Sequence, residues 1–345
     1  MKQYLIPEGG KFYKANMHMH TNISDGKMTV EETKRVFLEK GYSIVAFTDH
    51  EALVSHNDLS DESFLAITSY EINVPERWAG AFPFSKCYHL NLYAKDRCNT
   101  VSSVFNFKNF WKEIEQGKAL VSEDCAKISY SRHYSAEGVN DIIRKATDDG
   151  FLVCYNHPVW SNQNLTDYSG LKGLWGVEVY NAGCNRGGYR ESTQVLDDLL
   201  KENEFVCPIA ADDAHGVGGC GHGWIQVKAD NLEYGTVMNA LERGDFYAST
   251  GPEIYDLYIE DGIVHMTCSD AYEVFLRTER RFTRGKRGTE ESPVREIAFD
   301  INAYLADSAK AITVHSEPWF RIEIMDKNGK SAYTRAYSPK QLGLI

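Results

Sequence analysis

The chain has 345 residues and a formal net charge of −12, from 37 Lys and Arg against 49 Asp and Glu. This length allows a barrel-sized domain and a smaller second one, and the negative charge disfavours a stable complex with the phosphates of nucleic acid. Residues 1–10 hold no apolar signal core, and no run of 18 apolar residues occurs. We therefore expect a cytoplasmic protein without a membrane span that acts on a small molecule. The oligomeric state is left open.

The first predicted helix has clear signals at both ends. Thr29 and Glu32 form a capping box at its start, and Gly41 stands where a C-cap belongs. Residues 141–146 and 194–201 carry paired apolar residues at helical spacing, which predicts two further helices.

Short apolar runs recur between residues 40 and 215, separated by polar clusters and helix-like stretches, as is typical of parallel βα units. The predicted strands are residues 44–47, 64–67, 151–154, 176–181 and 206–211. Most of them lead into a side chain that can bind a metal, namely His50, Glu71, His157 and Asp213. In parallel α/β barrels this edge of the sheet carries the chemistry.

Alternating strands replace this pattern after residue 250. Residues 254–260 and 263–268 flank Asp261-Gly262, and residues 321–325 precede Asn328-Gly329. Both dipeptides are strong hairpin signals. The sequence therefore predicts a barrel over residues 1–250 and a smaller β-rich domain over 251–345, with residues 278–291 as a loop. Whether the second domain is a lid, a dimer surface or a support is left open.

Histidines concentrate at the predicted strand ends and equivalent places. His18 and His20, two residues apart on an extended strand, point to the same side, and Asp213 and His215 repeat the spacing. Any one of these histidines alone would more often be a structural or surface group. Together, imidazoles and carboxylates suit zinc, iron or manganese.

The joint pattern resembles a known family. It consists of His18-Met19-His20-Thr21, Ser24-Asp25-Gly26, Thr48-Asp49-His50, Glu71, His89, Asn156-His157-Pro158 and Asp213-Ala214-His215. In these motifs the chain resembles the polymerase and histidinol phosphatase (PHP) superfamily of metal-dependent hydrolases, over residues 16 to about 250. The resemblance implies an α/β fold, a distorted (β/α)7 barrel, with two or three divalent metal ions.

Three ligand sets follow from the resemblance. They are His18, His20, Glu71 and Asp213 for one metal, Asp25, His50 and His215 for a second, and Glu71, His89 and His157 for a third. Glu71 would then bridge ions. Asp25 stands where some relatives have histidine, so the choice among zinc, iron and manganese is left open. Asp49 and Asp212 are expected to orient ligating imidazoles.

Such a centre needs no side-chain nucleophile. Ions about 3.5 to 4 Å apart can share a hydroxide and neutralise charge on the attacked group. Glu71 and Asp213 are therefore predicted to be essential for catalysis as ligands. A cationic side chain would assist; Arg186, Arg132 and His222 are the candidates for substrate binding, and Arg186 is the candidate for catalysis.

Three functions remain at this stage. The leading hypothesis is a phosphoesterase that hydrolyses a small phosphomonoester or a nucleotide. Residues 246–252 and the tail around residues 319–323 resemble the carbaryl-hydrolase-like subgroup, so an amide, carbamate or ester hydrolase on the same metals is the alternative. The third is a module that binds a metal or ligand without catalysis.

Overall fold

The computed structural model describes residues 2–77, 85–110, 114–202, 204–310 and 316–345. The strands are β1 Lys2–Tyr4, β2 Lys11–Asn16, β3 Ile44–Phe47, β4 Leu65–Pro75, β5 Cys87–Ala94, β6 Phe151–Asn156, β7 Gly176–Asn181, β8 Cys207–Ala211, β9 Trp224–Ala229, β10 Phe246–Ser249, β11 Ile254–Glu260, β12 Ile263–Ala271, β13 Glu273–Thr278, β14 Thr283–Arg287, β15 Val294–Asp300, β16 Phe320–Met325 and β17 Ser331–Thr334. The helices are α1 Val30–Glu39, α2 Ile114–Leu120, α3 Glu123–Ala126, α4 Ala136–Asp148, α5 Leu165–Tyr168, α6 Ala182–Arg186, α7 Gln194–Lys201, α8 Tyr234–Arg243 and α9 Asn302–Lys310. Within these ranges no helix has the length and apolar character needed to cross a bilayer.

Seven strands, β2 to β8, are neighbours in one sheet and form the barrel. β5 runs antiparallel to β4 and β6, and the other neighbours in this series are parallel. A parallel bridge between Met19 and Ala214 joins the segment after β8 to the segment after β2. The N–H of Asp213 also donates to the carbonyl of His18 at 3.0 Å. The α/β class and the distorted seven-stranded barrel are thus confirmed, with a short contact instead of a full ladder at the closure.

The C-terminal part is β-rich, as predicted. β1, β11, β12 and β15 form a four-stranded sheet, while β13, β14, β16 and β17 extend the barrel sheet through β10 and β9. A second hydrophobic core lies between these layers. Because β1 pairs with β11, the first residues of the chain pack with the C-terminal part, so they do not follow the predicted division at residue 250. The rest of that division stays a prediction.

The capping box of α1 is present, and Gly41 has a φ of +76° just after the helix. α4 and α7 occupy the positions of the other two predicted helices. Two expectations were wrong. The region 278–291 contains β14, whose cationic side chains are tolerated because it is an exposed edge strand. Glu71 lies inside β4 rather than after a strand, because β4 continues along β5 once it has passed β3.

Candidate metal centre

All nine predicted ligand side chains converge at one end of the barrel. His18 and His20 follow β2, and Asp25 lies in the turn beyond them. His50 follows β3, while Glu71 and His89 lie in the neighbouring strands β4 and β5. His157 follows β6, and Asp213 and His215 follow β8. Six chain segments thus contribute to a single cluster, in which several groups of donor atoms lie close enough to share an ion.

The set predicted for the first metal has the spacing of a coordination shell. His18 Nε2 lies 3.1 Å from His20 Nε2, and both lie within 3.4 Å of Asp213 Oδ1. Glu71 Oε2 is 3.5 Å and 3.4 Å from the same two nitrogens. Four ligands about 2.0–2.1 Å from a tetrahedral zinc ion would be about 3.3 Å apart. These five distances are close to the spacing that a shared divalent ion requires, and the donor atoms fall into two overlapping groups, His18, His20 and Asp213 in one and His18, Glu71 and His157 in the other.

The set predicted for the third metal meets at the other oxygen of Glu71. Glu71 Oε1 lies 3.1 Å from His89 Nδ1 and 3.5 Å from His157 Nε2. Glu71 is 1% exposed, so both of its oxygens are committed to the interior of the site. The two oxygens of Glu71 thus face imidazoles of different sets, and its bridging role stays a prediction.

The set predicted for the second metal is the open side of the centre. Asp25 Oδ2 lies 3.3 Å from His215 Nε2 and 3.8 Å from His50 Nε2. The side chains of His215 and Asp25 are 41% and 29% exposed, whereas those of His18 and Glu71 are 0% and 1% exposed. A substrate can therefore approach the cluster from the side of Asp25 and His215.

Unsatisfied polar atoms in the interior support metal binding. Among the residues that the structure describes, Glu71 Oε2, Asp213 Oδ1 and His20 Nδ1 are buried and form no hydrogen bond of regular geometry, although imidazole nitrogens lie 3.0 Å from Glu71 Oε2 and 3.2 Å from Asp213 Oδ1. A buried carboxylate oxygen without a partner is costly, and such groups are normally hydrogen bonded or coordinated to a metal. The donors are nitrogen and oxygen atoms only, which suits zinc, iron or manganese at a catalytic site better than a structural zinc site. The residues present thus fit the divalent ions that the sequence analysis predicts.

The electrostatics keep the carboxylates ionised. Burial opposes ionisation of Glu71 and Asp213, but the surrounding imidazoles, His18 foremost, hold the pKa of both well below its usual range. At Asp25 burial is likewise outweighed, chiefly by the hydrogen bond with His215, and its pKa is lowered to about 2. Carboxylates that stay deprotonated are available as ligands at neutral pH.

Glu178, on β7, is the functional residue that the sequence analysis missed. Its Oε1 lies 2.8 Å from His18 Nδ1, and its Oε2 accepts the backbone N–H of His157 and the side-chain amide of Asn181. The same amide donates to Asp213 at 3.1 Å. The available signal in the sequence was a glutamate between Val177 and Val179 in a predicted strand, and in the structure it is 1% exposed.

Asp49 and Asp212 do not orient imidazoles, contrary to expectation. Asp49 accepts hydrogen bonds from the backbone and hydroxyl groups of Thr21 and Ser24, which shapes the turn before Asp25. Asp212 accepts the backbone N–H groups of residues 221–223. Short polar side chains readily bind nearby backbone groups, so both carboxylates build loops of the site.

Two ligands have strained backbones. His157 has a φ of +25° and Asp213 a φ of +47°, a region that residues other than glycine rarely adopt. Hydrogen bonds hold both backbones: the N–H of His157 donates to Glu178 Oε2, and the N–H of Asp213 donates to the carbonyl of His18. Strain of this kind, typically about 1–3 kcal/mol, persists where the surroundings over-determine the conformation.

Two of the three candidate substrate contacts lie together on the open side. Arg186, the exposed last residue of α6, donates to the carbonyl of Gly218, and His222 Nε2 lies 3.4 Å from the same oxygen. Gly218 belongs to the loop that follows His215. Both candidates therefore contact the loop that follows His215, and a role in substrate binding stays a prediction for each.

Arg132 has a different environment from the one expected. It is not a loop residue open to a substrate: its side chain is 0% exposed and pairs with both oxygens of Glu51. It also donates to the carbonyls of Asn73 and Val104. The guanidinium thus pairs in the core with the carboxylate of Glu51. Arg132 is therefore not available to bind a substrate.

Comparison with known proteins identifies the family of the chain. The family model for the PHP domain matches residues 16–204, more than half of the chain. No curated protein matches in sequence. Among solved structures, a two-domain protein from Bacteroides vulgatus, described as containing a PHP-like metal-dependent phosphoesterase, has a TM-score of 0.45 at 15% identity, over 97% of this chain and 98% of its own.

Two shorter proteins have similar scores. A protein from Bifidobacterium adolescentis, described as a metal-dependent phosphoesterase, has a TM-score of 0.38 at 16% identity, over 69% of this chain and 96% of its own. An amidohydrolase from Chromobacterium violaceum has a TM-score of 0.39 at 12% identity, over 67% of this chain and 96% of its own. Since none of these scores reaches 0.5, no property of these proteins is transferred to this chain.

Proposed function

Since this chain belongs to the PHP domain family and is a metal-dependent hydrolase, we propose that it hydrolyses a small phosphomonoester or a nucleotide. One observation carries the proposal. The nine side chains of the centre converge, with the Nε2 atoms of His18 and His20 3.1 Å apart and 3.2 to 3.5 Å from carboxylate oxygens of Glu71 and Asp213.

The predicted ligands form a buried part and an accessible part of the centre, and the two parts would have different roles. Glu71 and Asp213, fixed by Asn156 and Asn181 through hydrogen bonds of 2.8 Å and 3.1 Å, would hold the ions in the interior. Asp25 and His215 would hold the ion that the substrate meets first. Bound divalent ions would lower the pKa of a water and neutralise charge on the phosphoryl group.

Arg186 and His222 would bind phosphate oxygens that extend beyond the ions. The planar guanidinium of Arg186 can present two N–H donors to a phosphate, which suits a phosphoester better than a neutral amide. The net charge of −12 is compatible with an anionic substrate, because bound ions and these side chains make the site locally positive.

The test uses the purified chain, reconstituted separately with Mn2+, Fe2+ and Zn2+. We would compare kcat/KM for p-nitrophenyl phosphate, p-nitrophenyl acetate and a p-nitrophenyl carbamate, with Glu71→Ala as the background. We expect the phosphate ester to exceed the acyl substrates by at least about tenfold. Faster release from the acetate or carbamate would favour the amide, carbamate or ester hydrolase. Bound metal without release from any substrate would favour the non-catalytic module.

A further inference from the structure

A buried carboxylate outside the ligand sets holds the loop that carries His157. Glu191, in the segment between α6 and α7, is 7% exposed. Its Oε2 accepts the backbone N–H of Val159 at 3.1 Å, and its Oε1 accepts that of Trp160 at 3.0 Å. Burial of a carboxylate is costly unless hydrogen bonds compensate it, so this paired contact constrains the loop strongly.

The loop held by Glu191 touches the ligands of the third set on two sides. The ring of Trp160 meets His89 and His157 edge-on, with centroids 5.5 Å and 5.1 Å apart. His157 begins the loop with its strained φ of +25°. A shift of the backbone at residues 159–160 would therefore move both the strained ligand and the ring that packs against His89.

The segment that carries Glu191 is anchored in turn on the C-terminal sheet. Thr193 Oγ1 donates to Glu323 of β16 at 3.3 Å. One helical turn further on, Asp197 of α7 pairs with Arg321 of β16 through two contacts of 2.8 Å. The side chains of Arg321 and Asp197 are 0% and 7% exposed, so this pair is part of the core.

We propose that Glu191 is a positioning residue for the third ligand set, and that through it the C-terminal sheet controls how tightly one metal equivalent binds. The inference rests on the metal centre of the proposed function. Glu71 is shared between the first and third sets, whereas His18, His20, Asp25 and His215 lie on other segments, so we expect the first two sets to depend less on this loop. Residues that orient ligands typically change metal affinity by about 10- to 100-fold.

The test is a titration of the metal-free full chain with Co2+. Binding is measured by calorimetry and by the visible absorption spectrum. In Glu191→Gln one N–H acceptor is replaced by an amide donor that faces a backbone N–H. We expect the weakest equivalent to bind at least about tenfold more weakly while the others stay within about twofold. Thr193→Val should act in the same direction with a smaller effect.

Asp61→Asn is the matched control, because Asp61 also accepts two backbone N–H groups, of Ser63 and Phe64, but at an exposed turn. It should titrate as the wild type does. Wild-type affinity at every equivalent in Glu191→Gln would overturn the inference. So would an equal loss of all equivalents together with a lower Tm, since that indicates a general structural role. A wild-type chain that binds no Co2+ would overturn the proposed function itself, and this inference with it.

Discussion

His18 Nδ1 lies 2.8 Å from Glu178 Oε1 in the interior of the barrel, where the two side chains are 0% and 1% exposed. This hydrogen bond favours the tautomer with the proton on Nδ1, in which Nε2, the atom that faces Glu71 and Asp213, has the lone pair that a metal ion would need. Glu178 thus decides which nitrogen of His18 can bind a metal, without contacting the ion.

Glu178→Gln should therefore weaken metal binding although it keeps the size of the side chain. Glu178 Oε2 accepts two N–H donors, from His157 and Asn181, so the amide oxygen of the variant would take that place. Its NH2 group would then face His18 Nδ1 and favour the tautomer with a proton on Nε2. We expect metal affinity and kcat/KM to fall about 10- to 100-fold, measured by metal titration and turnover.

Glu204→Gln is the control for this variant, since Glu204 accepts a backbone N–H from Gly173 near the surface. It should behave as the wild type does. Unchanged metal affinity in Glu178→Gln would mean that the tautomer of His18 is set by something else.

Glu71→Ala should remove metal and activity together. Both oxygens of Glu71 face imidazoles of different ligand sets, at 3.0 Å for His50 and 3.1 Å for His89. We expect at least one metal equivalent to be lost by elemental analysis and kcat/KM to fall more than about 100-fold. The rise in Tm on adding metal should shrink as well, because an ion stabilises only the state that binds it. Glu39→Ala, on the exposed face of α1, should retain metal and activity; full metal content in Glu71→Ala would refute the bridging role.

Arg186→Ala should impair the reaction while leaving the ions in place. Arg186 lies on the open side and is not one of the predicted ligands. We expect kcat/KM for a phosphate ester to fall about 10- to 100-fold, or about 1.4–2.7 kcal/mol of transition-state stabilisation. Arg144→Ala, which removes an exposed arginine of α4, is the matched control. Equal kinetics in both variants would exclude Arg186 from the site.

Arg132→Met should destabilise the fold instead. It leaves the buried carboxylate of Glu51 without its cation, and removal of one partner of a buried pair typically costs about 3–5 kcal/mol. The free energy of unfolding in urea measures the loss. The double variant Arg132→Met with Glu51→Gln removes the unpaired charge and should recover part of the stability. A loss below about 1 kcal/mol in the single variant would contradict the buried pairing.

His56 predicts a dependence of stability on pH. Burial lowers the pKa of this imidazole below 6.5, and its ring packs edge-on against Phe47 at 5.0 Å. As the pH falls below about 6.5, the unfolded chain binds a proton at His56 before the folded chain does, so the free energy of unfolding decreases. His56→Gln should lose less stability than the wild type between pH 7.5 and pH 5.5, compared by urea unfolding. An identical loss in both proteins would assign the effect to other groups.

Much of the centre could be predicted from the sequence because several of the predicted ligands stand near the end of a strand. Hydrophobic periodicity locates strands, and the pairing of parallel strands brings their ends to one edge of the sheet whatever the side chains are. For that reason His18, His20, His50, His157 and Asp213 could be expected at one place. The helix over 30–39 was predictable as well, since its capping box is a local hydrogen-bond pattern.

Only the tertiary structure decided which groups hold the ligands by hydrogen bonds and which predicted residues lie away from the site. Glu178 is distant from His18 in sequence, and Arg132 is distant from Glu51, so no local pattern could pair them. The antiparallel course of β5, which brings His89 to Glu71, depends on how the sheet is completed. The sequence by itself thus determined the kind of donor and the end of the barrel where it lies, because these follow from local patterns. Partners, exposure and charge pairing required the packed fold, since they depend on contacts between distant segments.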